Sequence, residues 1–123
     1  MFELTEYRGM TFASEQEFKT AFLKDKKRFG GWKTFQIETE ETVPGFPDAI
    51  VVCSLSYYLY EFKYADSKNV IAFTKAQPLF YKQNSTLCMA IIAWDTPRKR
   101  AVWITPKEVV EKGSLNFKIP EKL

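Results

Sequence analysis

The 123-residue chain contains no histidine. That excludes a Ser-His-Asp triad, a Cys-His pair and a His-ligated zinc site. Any catalysis has to rest on carboxylates, on lysine, or on a metal held through oxygen. Cysteine is almost missing as well. Cys53 and Cys88 both fall in apolar, strand-like runs and are expected to be buried free thiols. No apolar run is long enough to span a membrane, and the first residues, MFELTEYRG, are charged and mixed rather than signal-like. The expectation is a soluble, cytoplasmic protein. Neither sign of charge dominates: 18 basic against 15 acidic residues leave a net charge of +3, too mild to prove or to exclude a nucleic-acid partner. There is no internal repeat, low-complexity tract or linker, so residues 1–123 read as one domain.

What is present is enough to build a core. Hydrophobic residues make up 46% of the chain, and the aromatic share of 16% exceeds what a small domain needs, which leaves rings for a ligand or partner. ASEQEFKTAFLKDKKRFGGW reads as a helix: Ser14 and Glu17 form a capping box, Phe18, Phe22 and Phe29 share a face, and Gly30-Gly31 ends it. WKTFQ reads as a strand entering an exposed acidic segment, followed by the turn-rich VPGFP. AIVVCSL and YYLYEFKY are two strands joined around Ser54 and Ser56, and DSKN is a loop. FTKAQPLFYKQN is a short helix, with Pro78 in its first turn. TLCMAIIAW is a central strand covered on both faces, DTPRKR a basic turn, and AVWIT a further strand. Thr105-Pro106-Lys107-Glu108 starts a last helix that stops at Gly113, and LNFKI alternates as an edge strand. The order points to a mixed β-sheet flanked by helices, an α/β or α+β domain.

Within the strand pair, three charges stand among apolar and aromatic neighbours. Strand alternation puts Glu61 and Lys63 on one face and Phe62 on the other. If the two strands pair as a hairpin, Asp48 and Glu61 lie next to each other. Two carboxylates beside a lysine can hold a hard cation such as Mg²⁺. Such an ion lowers the pKa of water and neutralises charge on a phosphodiester, while the lysine orients water or meets developing negative charge. A surface salt bridge across a sheet edge is the alternative.

Pro47-Asp48 followed by Glu61-Phe62-Lys63 resembles the PD-(D/E)xK nuclease superfamily. The likeness is to its small members, the Holliday-junction resolvases of archaeal and RecU-like type and the VRR-NUC-type nucleases of phages. Glu15, three residues before Phe18 on the first helix, and Gln77, near the start of the second, sit where those families carry a glutamate and a glutamine. The resemblance covers roughly residues 10 to 105. It implies a restriction-endonuclease-like core of order αβββαβ and an Mg²⁺- or Mn²⁺-dependent endodeoxyribonuclease. It further implies Asp48, Glu61, the Phe62 carbonyl and Glu15 as metal ligands, Lys63 as the catalytic lysine, and Gln77 as a support of the site. Glu15 can instead serve the helix dipole, and Gln77 can instead cap the helix begun at Thr74; Gln83 is a weaker substitute.

DNA phosphates need cations. Lys24, Lys27 and Arg28 on the first helix, Lys68 and Lys75 around the second, and Arg98, Lys99 and Arg100 in the basic turn are the candidates; each group also reads as an ordinary solvated face. Exposed members of Tyr57, Tyr58, Tyr60 and Tyr64 could stack on unpaired bases. No module for reading a target sequence is present. The resemblance therefore implies recognition of DNA shape, such as a branched junction, by a homodimer, in a host's cytoplasm if the chain is phage-encoded. The alternatives are a DNA- or protein-binding phage module without catalysis, and an RNA-processing endonuclease.

Overall fold

The computed structural model describes residues 1–30, 32–37 and 43–123, with backbone only at 29 and 30. The acidic segment expected after WKTFQ and the place of Phe29 on the helix face fall outside the described residues.

The chain begins with a short strand, β1 (Phe2–Leu4), and a 3-10 turn at Thr5–Tyr7. Helix α1 (Glu15–Gly30) follows, then β2 (Lys33–Gln36), β3 (Ala49–Cys53) and β4 (Ser56–Ala65). After β5 (Val70–Ala72) come α2 (Ala76–Gln83), β6 (Met89–Asp95), β7 (Arg100–Ile104), α3 (Pro106–Lys112) and β8 (Asn116–Lys118). Six strands make one sheet in the order β1-β7-β6-β4-β3-β2, in which β4 and β6 are parallel and the other neighbours antiparallel. The sheet is mixed and flanked by helices, and the expected αβββαβ order is present as α1-β2-β3-β4-α2-β6. β5 and β8 pair in a separate ribbon.

Local signals explain the helix ends. The Glu17 amide donates to Ser14 Oγ, and the Glu17 carboxylate returns to the Ala13 amide, one residue before the box it was expected to close. Thr105 and Glu108 complete the box at α3, and Gly113 ends that helix in the left-handed region at φ 69°. Pro78 falls in the first turn of α2, where its missing N–H has no intrahelical partner to lose.

The sheet separates two cores. Phe18, Phe22 and Leu23 of α1 pack on Val51, Tyr60, Phe62, Ile92 and Trp94. Phe80 and Tyr81 of α2, Val109 of α3 and Phe117 of β8 pack on Leu59, Ile91, Ala93 and Ile104. Every residue of β6 is buried, as a strand covered on both faces requires. The cysteines differ from expectation. Cys88 precedes β6 and is exposed, and Cys53, the last residue of β3 at the hairpin tip, is half-buried, so each stands at the end of its apolar run rather than within it.

Gly45 fixes the approach of the VPGFP turn to α2. It adopts φ +83°, and a Cβ there would meet the Ala76 carbonyl oxygen at 2.4 Å and Phe80 Cβ at 2.9 Å. Backbone cannot yield as a side chain does, so Gly45→Ala is expected to cost about 2 kcal/mol or more in urea denaturation. A cost below about 0.5 kcal/mol would show that the turn does not need this contact.

Candidate active site

Asp48 stands at the head of β3, and the register Ala49↔Tyr60 continues to set it opposite Glu61 of β4. Leu59 and Ala65 of β4 belong to the core under α2, while Tyr60 and Phe62 belong to the core under α1. Alternation therefore turns Glu61 and Lys63 toward α2. Beyond Tyr60, β4 has no ladder partner on the β3 side among the described residues. The Asp48 carboxylate takes that place, accepting from the Phe62 amide at 3.0 Å. In a strand the N–H and C=O of one residue point to the same side, so the Phe62 carbonyl faces the same opening.

Glu61 is only 4% exposed. Its Oε1 accepts from Gln77 Nε2 and lies 3.8 Å from Lys63 Nζ, whereas its buried Oε2 has no donor among the described residues and stands close to the Asp48 carboxylate. Burial first, and then the charge of Asp48, push the Glu61 carboxyl up to about 8 against the opposing pull of Lys63. Glu15 remains in contact with solvent at the first turn of α1. Partial desolvation, and then the Asp48 charge, hold its carboxyl above the usual range, with Lys63 opposing. Its field reaches the site. Among the described residues, however, no three acidic or cysteine side chains group closely enough to hold an ion by themselves.

Gln77 bonds both to the turn before α2 and to the two charged residues of β4. Its Oε1 accepts from the Thr74 amide at 2.9 Å, capping the turn that leads into α2, and from Lys63 Nζ at 3.0 Å. Its Nε2 donates to Glu61. One buried amide thus ties the acid, the lysine and the helix start together. Gln83, at the last position of α2, is exposed.

Sequence reasoning missed Tyr81. Its hydroxyl is buried without a partner among the described residues, and burial, then the charges of Glu61 and Asp48, hold its phenol far above the usual range. The available signal was its spacing of one helical turn from Gln77.

The parallel register Ala65↔Asp95 brings the end of β6 to the site end of the sheet. The turn carrying Arg98 and Lys99 follows directly, and the loop holding Lys68 and the α2 start holding Lys75 share this end. The segment before α1 lies here too, since Gly9 N–H donates to the Lys99 carbonyl and Tyr64 OH to the Phe12 carbonyl. From Glu15, α1 runs toward the other end, carrying Lys24 and Arg28 about 14 and 20 Å away along its axis, with Lys27 between them. Tyr57 and Tyr58 are exposed but lie toward the hairpin tip; Tyr60 is buried and Tyr64 half-buried.

Arg100, expected among the DNA-facing cations, is a correction. It is 8% exposed, its Nε donates to Asp95 at 2.9 Å, and its other nitrogens donate to the carbonyls of Pro120 and Glu121. Asp95 is fully buried, and β7 pairing turns Arg100 inward to meet it. Arg98 reaches the same carboxylate at 3.4 Å from a more exposed position. Arg100→Ala is expected to cost about 3 kcal/mol by leaving Asp95 under-paired, against at most about 0.5 kcal/mol for the exposed Lys99→Ala. Equal costs in urea denaturation would contradict the assignment.

No family model and no curated protein sequence matches this chain. Among solved structures, it is similar to a Holliday junction resolvase, Hjc, from the archaeal hyperthermophile Archaeoglobus fulgidus, with a TM-score of 0.58, 18% identity and 85% of each chain covered. At that identity the match shows the fold, which is the restriction-endonuclease-like fold implied by the residues from Pro47 to Lys63. No helix of the described residues is long and apolar enough to cross a membrane.

Proposed function

We propose that this protein is a divalent-metal-dependent endonuclease that cuts branched DNA and acts as a homodimer. The observation that carries the reading is the buried Glu61 Oε2, which among the described residues has no donor and stands close to the Asp48 carboxylate. Two carboxyls brought together in an interior with no donor between them either share a proton, as the raised Glu61 does in the metal-free chain, or hold a cation. A hard cation fits there, with Asp48, Glu61 and the Phe62 carbonyl as its protein ligands, Glu15 acting through water, and the remaining positions open to water and a phosphate oxygen. When bound, such an ion supplies Lewis-acid polarisation of the phosphate and a more acidic water.

The chain's own residues have separate tasks. Asp48, held by the Phe62 amide, keeps a fixed carboxylate at the mouth of the site. Gln77 holds Glu61 by one oxygen, which leaves the other for the ion. Lys63, half-buried and held by Gln77, presents an ammonium for the charge that develops on the attacked phosphate. Lys68, Lys75, Arg98 and Lys99, at the same end of the sheet, would meet the flanking phosphates. Cations placed to meet phosphates carry no base readout, which fits recognition of DNA shape. The resolvase activity of the archaeal structural relative supports a four-way junction as the first substrate to try.

The test is cleavage of four-way-junction, forked and linear DNA with Mg²⁺, with Mn²⁺ and with chelator. The expected result is metal-dependent nicking of the branched substrates by a protein that sediments as a dimer. Junction binding without cleavage would favour a non-catalytic module. Metal-free cleavage of RNA would favour the RNA-processing alternative.

A further inference from the structure

We propose that Phe73 is a positioning residue for Lys63, and that the β5–β8 ribbon serves to hold its ring in place. Lys63 Nζ lies 4.8 Å from the centroid of the Phe73 ring. Its other neighbours are Gln77 Oε1 at 3.0 Å and Glu61 Oε1 at 3.8 Å, the latter too far for a hydrogen bond. An ammonium has three donors, and among the described residues one of them is met by a protein acceptor. The negative face of an aromatic ring attracts a partly desolvated ammonium without taking up a donor. The ring therefore holds the charge in place and leaves its donors for the substrate side.

Phe73 cannot easily turn away. It is 5% exposed, its ring meets Tyr81 edge-on at 6.2 Å and Phe117 at 6.4 Å, and its amide donates to the Leu115 carbonyl at 2.8 Å. Ile71 of β5 pairs with Phe117 of β8, so the ribbon fixes the segment that carries Phe73 into α2. This gives a small, peripheral two-stranded element a role at the site end of the sheet.

The catalytic part of this inference rests on the nuclease reading, and the experiment separates the two. Phe73 is replaced by mono-, di- and trifluorophenylalanine, which keep the ring's shape and apolar character while weakening its negative face stepwise. The expected result is a stepwise fall of kcat on junction DNA, roughly tenfold across the series, with KM and thermal unfolding unchanged. A ring that merely fills the core would give a flat series, and that result overturns the proposal. The position of Lys63 is read independently of activity by NMR of the metal-free protein. Its Cε methylene protons are expected to be shifted upfield by the ring in the wild type and to return to ordinary values in Phe73→Leu. Their lying at ordinary values in the wild type overturns the proposal. Wild-type protein that cuts no nucleic acid overturns the nuclease reading instead, and the methylene shift then decides the contact by itself.

Discussion

Asp48→Asn is expected to lower junction cleavage by roughly 10³-fold while leaving the protein more stable than the wild type. Asparagine keeps an acceptor for the Phe62 amide, now 3.0 Å from a carboxylate oxygen, so the loop and the strand stay joined. What it removes is the charge that raises both Glu61 and Glu15. Relieving that repulsion in the absence of metal should stabilise the fold by about 1 kcal/mol above pH 8. Junction affinity should change little in the absence of metal, because Lys68, Lys75, Arg98 and Lys99 remain. Lys63→Ala should lose cleavage to a similar degree. Without Lys63, Glu61 loses the one charge that opposes its protonation, and it can stay neutral in the core. Single-turnover cleavage, filter binding and urea denaturation check these statements together. An Asp48→Asn variant that cuts at the wild-type rate would remove Asp48 from the chemistry.

The metal-free protein should lose stability as the pH rises from about 4.5 to about 8, on the order of 3 to 5 kcal/mol, through Glu61. The direction follows from the raised carboxyl. In this window the folded chain keeps a proton that the unfolded chain has already released. The contribution is thus fully present below about pH 4.5, declines as pH rises, and is gone once Glu61 ionises in the folded state near 8. The groups facing Glu61 are Asp48 and Glu15, which raise it, Lys63, which lowers it, the Gln77 amide, and the Tyr81 hydroxyl. Glu61→Gln, which cannot ionise, should have a much flatter profile, measured by urea denaturation from pH 4.5 to 8.5 in the presence of chelator. Millimolar Mg²⁺ at pH 8 should restore stability to the wild type and not to Glu61→Gln. Parallel pH profiles for the two proteins would place the raised carboxyl elsewhere.

Much of the frame was legible because its signals are local. Ser14, Thr105, Pro106 and Gly113 act on the turn that contains them, and the helix ends fall where they indicate. The hairpin was legible as two apolar runs, and strand alternation alone put Glu61 beside Lys63. The three-residue strands β1 and β5 were not legible, because so few residues cannot display a period. They are strands only because β7 and β8 pair with them. Lys99 and Arg100 are adjacent basic residues, yet one is solvated and the other is consumed by Asp95. That difference comes from β7 pairing with β6.

By itself, then, the sequence determined the chemistry on offer. A chain without histidine, with Asp48, Glu61 and Lys63 held on paired strands, has oxygen ligands and an ammonium to work with and little else. Only the tertiary structure decided that Glu61 is buried with one oxygen tied by Gln77, that Gln77 also accepts from Lys63 and from the turn before α2, and that the Phe73 ring, packed on Tyr81, lies against Lys63. Burial and hydrogen-bond partners are set by what arrives from elsewhere in the chain. Here those arrivals are α2 and the β5–β8 ribbon, packed on the face of the sheet where the charges stand.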